Sequence, residues 1–233
     1  MVIMNFSGVY EKEAFYLEEK YNMLDLKSIP GTNSYCDEDA SKAIAKAIEI
    51  QSFSDIHFID KGNYHYATKF WLDKIHGNFS LIVFDNHSDM QPSAFGSLLS
   101  CGSWILDVIE NNRYAKEIFL IGISKEAKEQ IPAEYAGRVK VINNVNTVIA
   151  PSYPVYVSID KDVLKESILK TNWDHGNMTV EEILGFITYI SVSRNILGID
   201  ICGEPEISAK DGDIFSSDAV NKKLYDSLTK LIP

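Results

Sequence analysis

Four stretches of the chain carry side chains that could do chemistry, and each follows a short apolar run. His65 comes after 56–59, Asp85, His87 and Asp89 alternate directly after 79–84, Asp160 and Asp162 alternate after 155–159, and Glu204 comes after 196–199. On a chain still extended at the end of a strand, residues i, i+2 and i+4 project to one side. Asp85, His87 and Asp89 therefore face a common point, as do Asp160 and Asp162. Gathering these carboxylates and imidazoles is unfavourable without compensation, because like charges raise one another's pKa and burial disfavours the charged forms further. A multivalent cation removes that penalty. The donors are hard oxygen and imidazole with no thiolate, which suits Mn²⁺ first, with Zn²⁺, Fe²⁺, Ni²⁺ and Co²⁺ as further candidates. Adding His65 gives a set too large for one tetrahedral ion, and one that suits two ions sharing bridging carboxylates ~3.5–4 Å apart.

The elements that must position these residues are legible from pattern. Apolar runs at 2–6, 56–59, 79–84, 118–121, 139–142, 155–159 and 196–199 are rich in β-branched and aromatic residues and read as buried strands. Helical spacing fills 37–53, 66–76, 103–112, 179–191 and 218–231, with Thr179 and Glu182 forming a capping box and Ser217 or Asp218 capping the last helix. Segments 26–37, 143–154, 164–178 and 204–217 read as loops, and Asp200 as the cap of the turn after its strand. Strands alternating with helices predict a single α/β domain over 1–233, with a mainly parallel sheet in the middle layer of three. In such a sheet ligands bind where the chain leaves the carboxyl ends of the strands, and all the candidate residues lie there.

Composition narrows the partners. With 33 acidic and 22 basic residues the net charge is −11, which repels a phosphate backbone and excludes nucleic acid. Hydrophobic residues at 45% and charged residues at 24% describe an ordinary globular core. Cys36, Cys101 and Cys202 are widely spaced and form no CxxC, so neither a disulfide framework nor a thiolate zinc site is expected, and a reducing cytosol fits. Glu11, Glu13, Glu18 and Glu19 interrupt the apolar core that a signal peptide needs, and no stretch reaches the ~18–20 apolar residues of a membrane span. The expectation is a soluble, cytoplasmic protein acting on a small molecule, with no membrane partner; a homo-oligomer is compatible with the sequence.

The motifs themselves resemble a known family. Residues 83–89 (VFDNHSD) resemble the DAHxD motif of the ureohydrolases, the group of arginase, agmatinase and formiminoglutamase. Residues 157–162 (VSIDKD) are similar to the start of that family's SxDxD motif, and 62–65 (GNYH) to its GGDH motif, in the same order over about 56–205. The resemblance implies an arginase/deacetylase-like fold and a binuclear metal-dependent hydrolase, in which a metal-bridging hydroxide attacks a guanidino or formimino carbon of a cationic substrate. It further implies that Asp85 and Asp160 bridge the ions, with His65 and Asp89 completing one and His87 and Asp162 the other. Asp89 would also steady the hydroxide and pass its proton to the leaving amine. Glu204 matches by position the glutamate that holds the guanidinium group through paired charge-assisted hydrogen bonds. The sequence departs from the family on the substrate side. No Asp-Pro follows Asp162, Asn86 replaces a small residue, and no histidine stands near Ser100, Cys101 and Gly102, where the family has its proton shuttle; Cys101 and His175 are the candidates for that place. Two alternatives stay open: a deacetylase-like amidohydrolase with a single ion, and a non-catalytic metal-binding member.

Overall fold

The computed structural model describes every residue except 94, 95, 97, 144–146 and 233. In chain order the elements are β1 (Val2–Asn5), β2 (Asn22–Asp25), β3 (Tyr35–Cys36), α1 (Glu38–Ala47), β4 (Ile56–Phe58), α2 (Thr68–Leu72), β5 (Phe79–Phe84) and β6 (Leu99–Ser100). There follow α3 (Trp104–Asn111), β7 (Ala115–Ile121), α4 (Lys125–Glu129), β8 (Val139–Ile142), β9 (Val155–Asp160), α5 (Val180–Ser191), β10 (Ile196–Cys202) and α6 (Asp211–Leu228). Eight strands form one parallel sheet in the order β2-β1-β4-β10-β9-β5-β7-β8, and β3 pairs antiparallel with β6 beside it.

The strand order explains how distant motifs meet. The chain lays down β4 and β5 apart, builds outward through β7 and β8, and returns to insert β9 and β10 between them. The four strands that precede the candidate residues are thus contiguous, and their carboxyl ends open at the place where the strand order reverses.

Strand β5 shows why the sheet is parallel and covered on both faces. All six of its residues are buried. Ile82 and Phe84 join a core with α5 and α6 residues such as Ile183, Phe186 and Leu224, whereas Phe79, Leu81 and Val83 join one with Ile44, Trp71 and Trp104 from α1, α2 and α3. Each such side chain contributes roughly 1.5–3 kcal/mol by leaving water. A strand with two apolar faces has no solvent side, hence its near-continuous apolar sequence.

Differences from the sequence reading are local. The capping box at Thr179 and Glu182 forms as expected. Helix α6, however, starts at Asp211, inside the expected loop 204–217; Asp211 and Asp213 look like loop residues, yet acids in a first turn favour a helix by facing its positive end. Ser217 and Asp218 are therefore interior to α6 and cap nothing there: Ser217 is buried, and Asp218 accepts from the backbone N–H groups of Ala14 and Phe15 at 2.7 Å. Asp200 lies within β10, where Tyr156 donates to it at 2.6 Å and His57 Nδ1 lies 2.7 Å away. The short elements β2, β3, β6 and α4 were not expected, because none of them is an apolar run and none is long enough to show a helical period. Part of the expected loop 143–154 lies outside the described residues. Among the described residues, no helix is long and apolar enough to cross a membrane.

Candidate metal centre

His65 is presented by a 3-10 turn, Gly62–Ala67, that follows β4. Asp85, His87 and Asp89 come from the loop leaving β5, which bends sharply enough to put Asp89 at φ 48°, and Asp160 and Asp162 come from the end of β9 and the 3-10 turn Lys161–Val163. All six expected ligands line one cleft of about 340 Å³, together with Cys101 and Trp173. His65 Nδ1 stands 3.0 Å from Asp89 Oδ2, 3.2 Å from Asp85 Oδ2 and 3.6 Å from Asp160 Oδ2. His87 Nδ1 stands 2.8 Å from Asp162 Oδ2 and 3.4 Å from Asp85 Oδ1. Asp85 therefore turns one oxygen to each imidazole, and is shared between a group with His65 and Asp89 and a group with His87 and Asp162.

Surrounding donors fix these orientations, as an outer shell does for metal ligands. His65 Nε2 pairs with Ser158 Oγ at 2.8 Å, which turns Nδ1 into the cluster. Trp104 Nε1 donates to Asp89 Oδ2 at 2.6 Å, and the backbone N–H groups of Asn86 and Asp162 donate to Asp162 Oδ1 and Asp160 Oδ1, each at 3.0 Å.

The electrostatics show what the cluster lacks. Burial, then the charges of Asp160 and Asp85, push Asp162 well above the usual carboxylate range. Burial and Asp85 raise Asp160 and push Asp89 up to about 6. Asp85 alone is held below its ordinary value, the two imidazoles outweighing the upward push of burial. Burial would lower His87, but the carboxylates of Asp162 and Asp85 push it up to about 11. Despite the short distances, no carboxylate lies in line to accept from His65 Nδ1, and Asp85 Oδ2 is equally without a hydrogen-bond partner although both atoms are buried. Leaving a buried polar atom unsatisfied costs about 1–3 kcal/mol, so such atoms call for an explanation. A divalent cation between them satisfies both and offsets the crowded charge, and the oxygen and imidazole donors suit one.

Residues 57–207 match the arginase family, a span that holds all the expected site residues. The chain belongs to the arginase family. An uncharacterized protein of Thermotoga maritima is 31% identical over 205 residues, 88% of this chain and 79% of that one. Among solved structures, the formimidoylglutamase of Bacillus subtilis superposes with a TM-score of 0.67 at 15% identity, over 100% of this chain and 87% of that one. The agmatine ureohydrolase of Thermoplasma volcanium gives 0.66 at 14% identity over 98% and 90%, and the arginase of Medicago truncatula 0.64 at 19% over 84% and 67%. These likenesses establish the arginase-like α/β fold.

One expected residue does not reach the cleft. Glu204 is fully buried and both its oxygens are engaged: Oε1 by Lys161 Nζ at 2.7 Å and Asn221 Nδ2 at 2.9 Å, Oε2 by the Ser217 hydroxyl. In this position Glu204 is the counter-ion of Lys161, and it is not among the residues lining the cleft. The cause lies between the two ligand acids. Asp160 and Asp162 face the cleft, so Lys161 must point the other way, into the protein, where it needs an anion. Ser217 Oγ and Asn221 Oδ1, each 2.7 Å from Nζ, complete its partners.

The two candidates for the absent shuttle part company. Cys101 lines the cleft, as do Ser100 and Gly102, whereas His175 lines a larger neighbouring cavity and pairs with the Thr171 N–H at 3.2 Å. Sequence reasoning missed Trp173, whose ring meets His87 edge-on at 5.5 Å, and whose Nε1 donates to Asn63 at 3.0 Å; nothing in a polar loop announces such a role. It also missed Cys202, whose sulfur donates to Asp160 Oδ2 at 3.2 Å; the signal available was its place two residues beyond Asp200, in phase with the strand.

Proposed function

We propose that this arginase-family chain is a binuclear-metal-dependent hydrolase that cleaves a carbon–nitrogen bond of a small substrate, with His65, Asp85, His87, Asp89, Asp160 and Asp162 holding two divalent ions. The observation that carries the reading is the pair of buried, unpartnered atoms, His65 Nδ1 and Asp85 Oδ2, in a cluster of imidazoles and carboxylates drawn from three separate segments of the chain. When bound, the ions supply a water deprotonated near neutral pH and an electrophilic site for a trigonal carbon. The residues do the rest. Asp89, oriented by Trp104, accepts the proton of the attacking water and hands it to the departing nitrogen, so that oxygen adds to carbon as the C–N bond breaks. Trp173 walls the cleft beside His87 and limits water access.

Guanidino and formimino compounds are the leading substrate class. A second reading, hydrolysis of an amide, is favoured by one observation: the carboxylate that would anchor a cationic group is occupied by Lys161. Screening guanidino, formimino and acetylated amines with fully metallated protein separates them by which amine is released. Silence across the whole panel with two ions bound would contradict the enzymatic reading and favour a non-catalytic metal-binding member.

A further inference from the structure

Cys202 closes β10 opposite Asp160, its register partner at the end of β9, so the two side chains leave the sheet on the same face. The thiol is buried and donates to Asp160 Oδ2, the oxygen that also faces His65 Nδ1. The Cys202 sulfur, an Asp160 oxygen and a His65 nitrogen all lie within 4.8 Å of one another. His65 Nδ1 is the buried nitrogen with no hydrogen-bond partner, so the sulfur borders a place where a polar atom is already unsatisfied. The backbone holds it there. Gly203 takes φ 90°, and a side chain at that position would run into Asp160 and the Lys161 backbone, so the end of β10 approaches the ligand-bearing turn as only glycine allows.

We propose that Cys202 is itself a metal ligand, binding as thiolate the ion held by His65 and Asp160, and that this ion is consequently one that tolerates sulfur, Zn²⁺, Co²⁺ or Fe²⁺, in preference to Mn²⁺. The proposal rests on the two-ion reading above and revises its expected metal. On binding, the S–H bond breaks, a sulfur–metal bond forms and the proton passes to buffer; no oxidation state changes. The competing arrangement keeps the S–H intact as a hydrogen-bond donor to Asp160.

Titration of metal-stripped wild-type protein with Co²⁺ alone separates the two, because visible ligand-field bands report that cobalt is bound and a near-ultraviolet charge-transfer band reports a thiolate on it. The expected result is both bands in wild type, loss of the near-ultraviolet band with retention of the visible ones in Cys202→Ser, and both bands in Cys101→Ser. Visible bands without the near-ultraviolet band in wild type, or a band that survives in Cys202→Ser, would overturn the proposal. If no cobalt is retained at all, the ion-site reading fails and this one with it, a result distinct from binding without sulfur. Should Cys202→Ser fail to fold, zinc-edge X-ray absorption of wild type decides alone: a sulfur neighbour at about 2.3 Å is expected, and its absence would overturn the assignment.

Discussion

Two buried polar clusters lie back to back across the turn of Asp160, Lys161 and Asp162. In front, toward the cleft, carboxylates outnumber imidazoles, burial and like charge push Asp89, Asp160 and Asp162 upward, and two buried atoms lack partners. Behind, Lys161 places all three of its donors, on Glu204, Ser217 and Asn221, and both Glu204 oxygens are bonded. The same turn thus serves a closed network on one side and an open one on the other. A buried ion pair with complete hydrogen bonding needs nothing further, whereas an incomplete network of like charges would gain from an added cation. Burial of charge therefore does not by itself mark a functional site; what distinguishes the front cluster is unpartnered atoms set among crowded like charges.

The largest difference between the clusters should appear in metal content. Asp85→Ala removes the carboxylate shared by both ligand groups and should take bound metal from two ions per chain toward none, while His65→Ala or His87→Ala should mainly weaken one. Plasma emission spectrometry counts the ions. Equal metal in wild type and Asp85→Ala would dissolve the contrast.

The closed cluster should respond in stability instead. Lys161→Met leaves Glu204 buried without its cation and should lower the unfolding free energy by about 3–5 kcal/mol, with most of the loss recovered in Lys161→Met/Glu204→Leu. Denaturant titration of the single and double variants measures it. A harmless single variant would mean that the pair does not hold the turn. The open cluster should behave in the opposite sense: in metal-stripped protein Asp162→Asn removes one of several crowded charges, and its stability should stay within about 1 kcal/mol of wild type or rise above it. A loss as large as that of Lys161→Met would make the front cluster as structural as the rear one.

How much of this is legible in the sequence differs between the clusters. Alternating acids and histidine at the ends of apolar strands stand out by residue type and period, so the gathering of Asp85, His87, Asp89, Asp160 and Asp162 in one cleft can be read from the amino-acid sequence alone. Glu204 cannot be placed that way, because its position in the chain fits a cleft loop equally well. What decides its role is Ser217 and Asn221 on α6, a helix whose first turns read as loop. Cys202 escapes notice because no other cysteine is near it in sequence; its neighbours come from β9 and the turn after β4, which only the strand order brings alongside. The sheet itself is legible because its central strands are short, mostly apolar runs, while β2, β3, β6 and α4 are neither apolar runs nor long enough to show a helical period.

A smaller effect lies at the edge of the rear cluster. Burial first, and then the charge of Glu204, push Glu13 up to about 10, and its Oε2 accepts from Asn221 at 2.9 Å. The folded protein holds this proton at pH values where the unfolded chain has released it. Glu13 therefore contributes stability that is fully present below the ordinary glutamate pKa and lost as the pH rises toward 10. Glu13→Gln should match wild type in Tm near pH 4 and exceed it by a widening margin toward pH 9. Parallel melting curves across that range would refute the assignment.

The two-ion centre itself is tested most directly by anomalous diffraction from metal-loaded crystals. Two peaks ~3.5–4 Å apart are expected, one against His65 and Asp89 and the other against His87 and Asp162, with Asp85 between them. A single peak in the cleft, or none there in crystals that bind metal elsewhere, would contradict it.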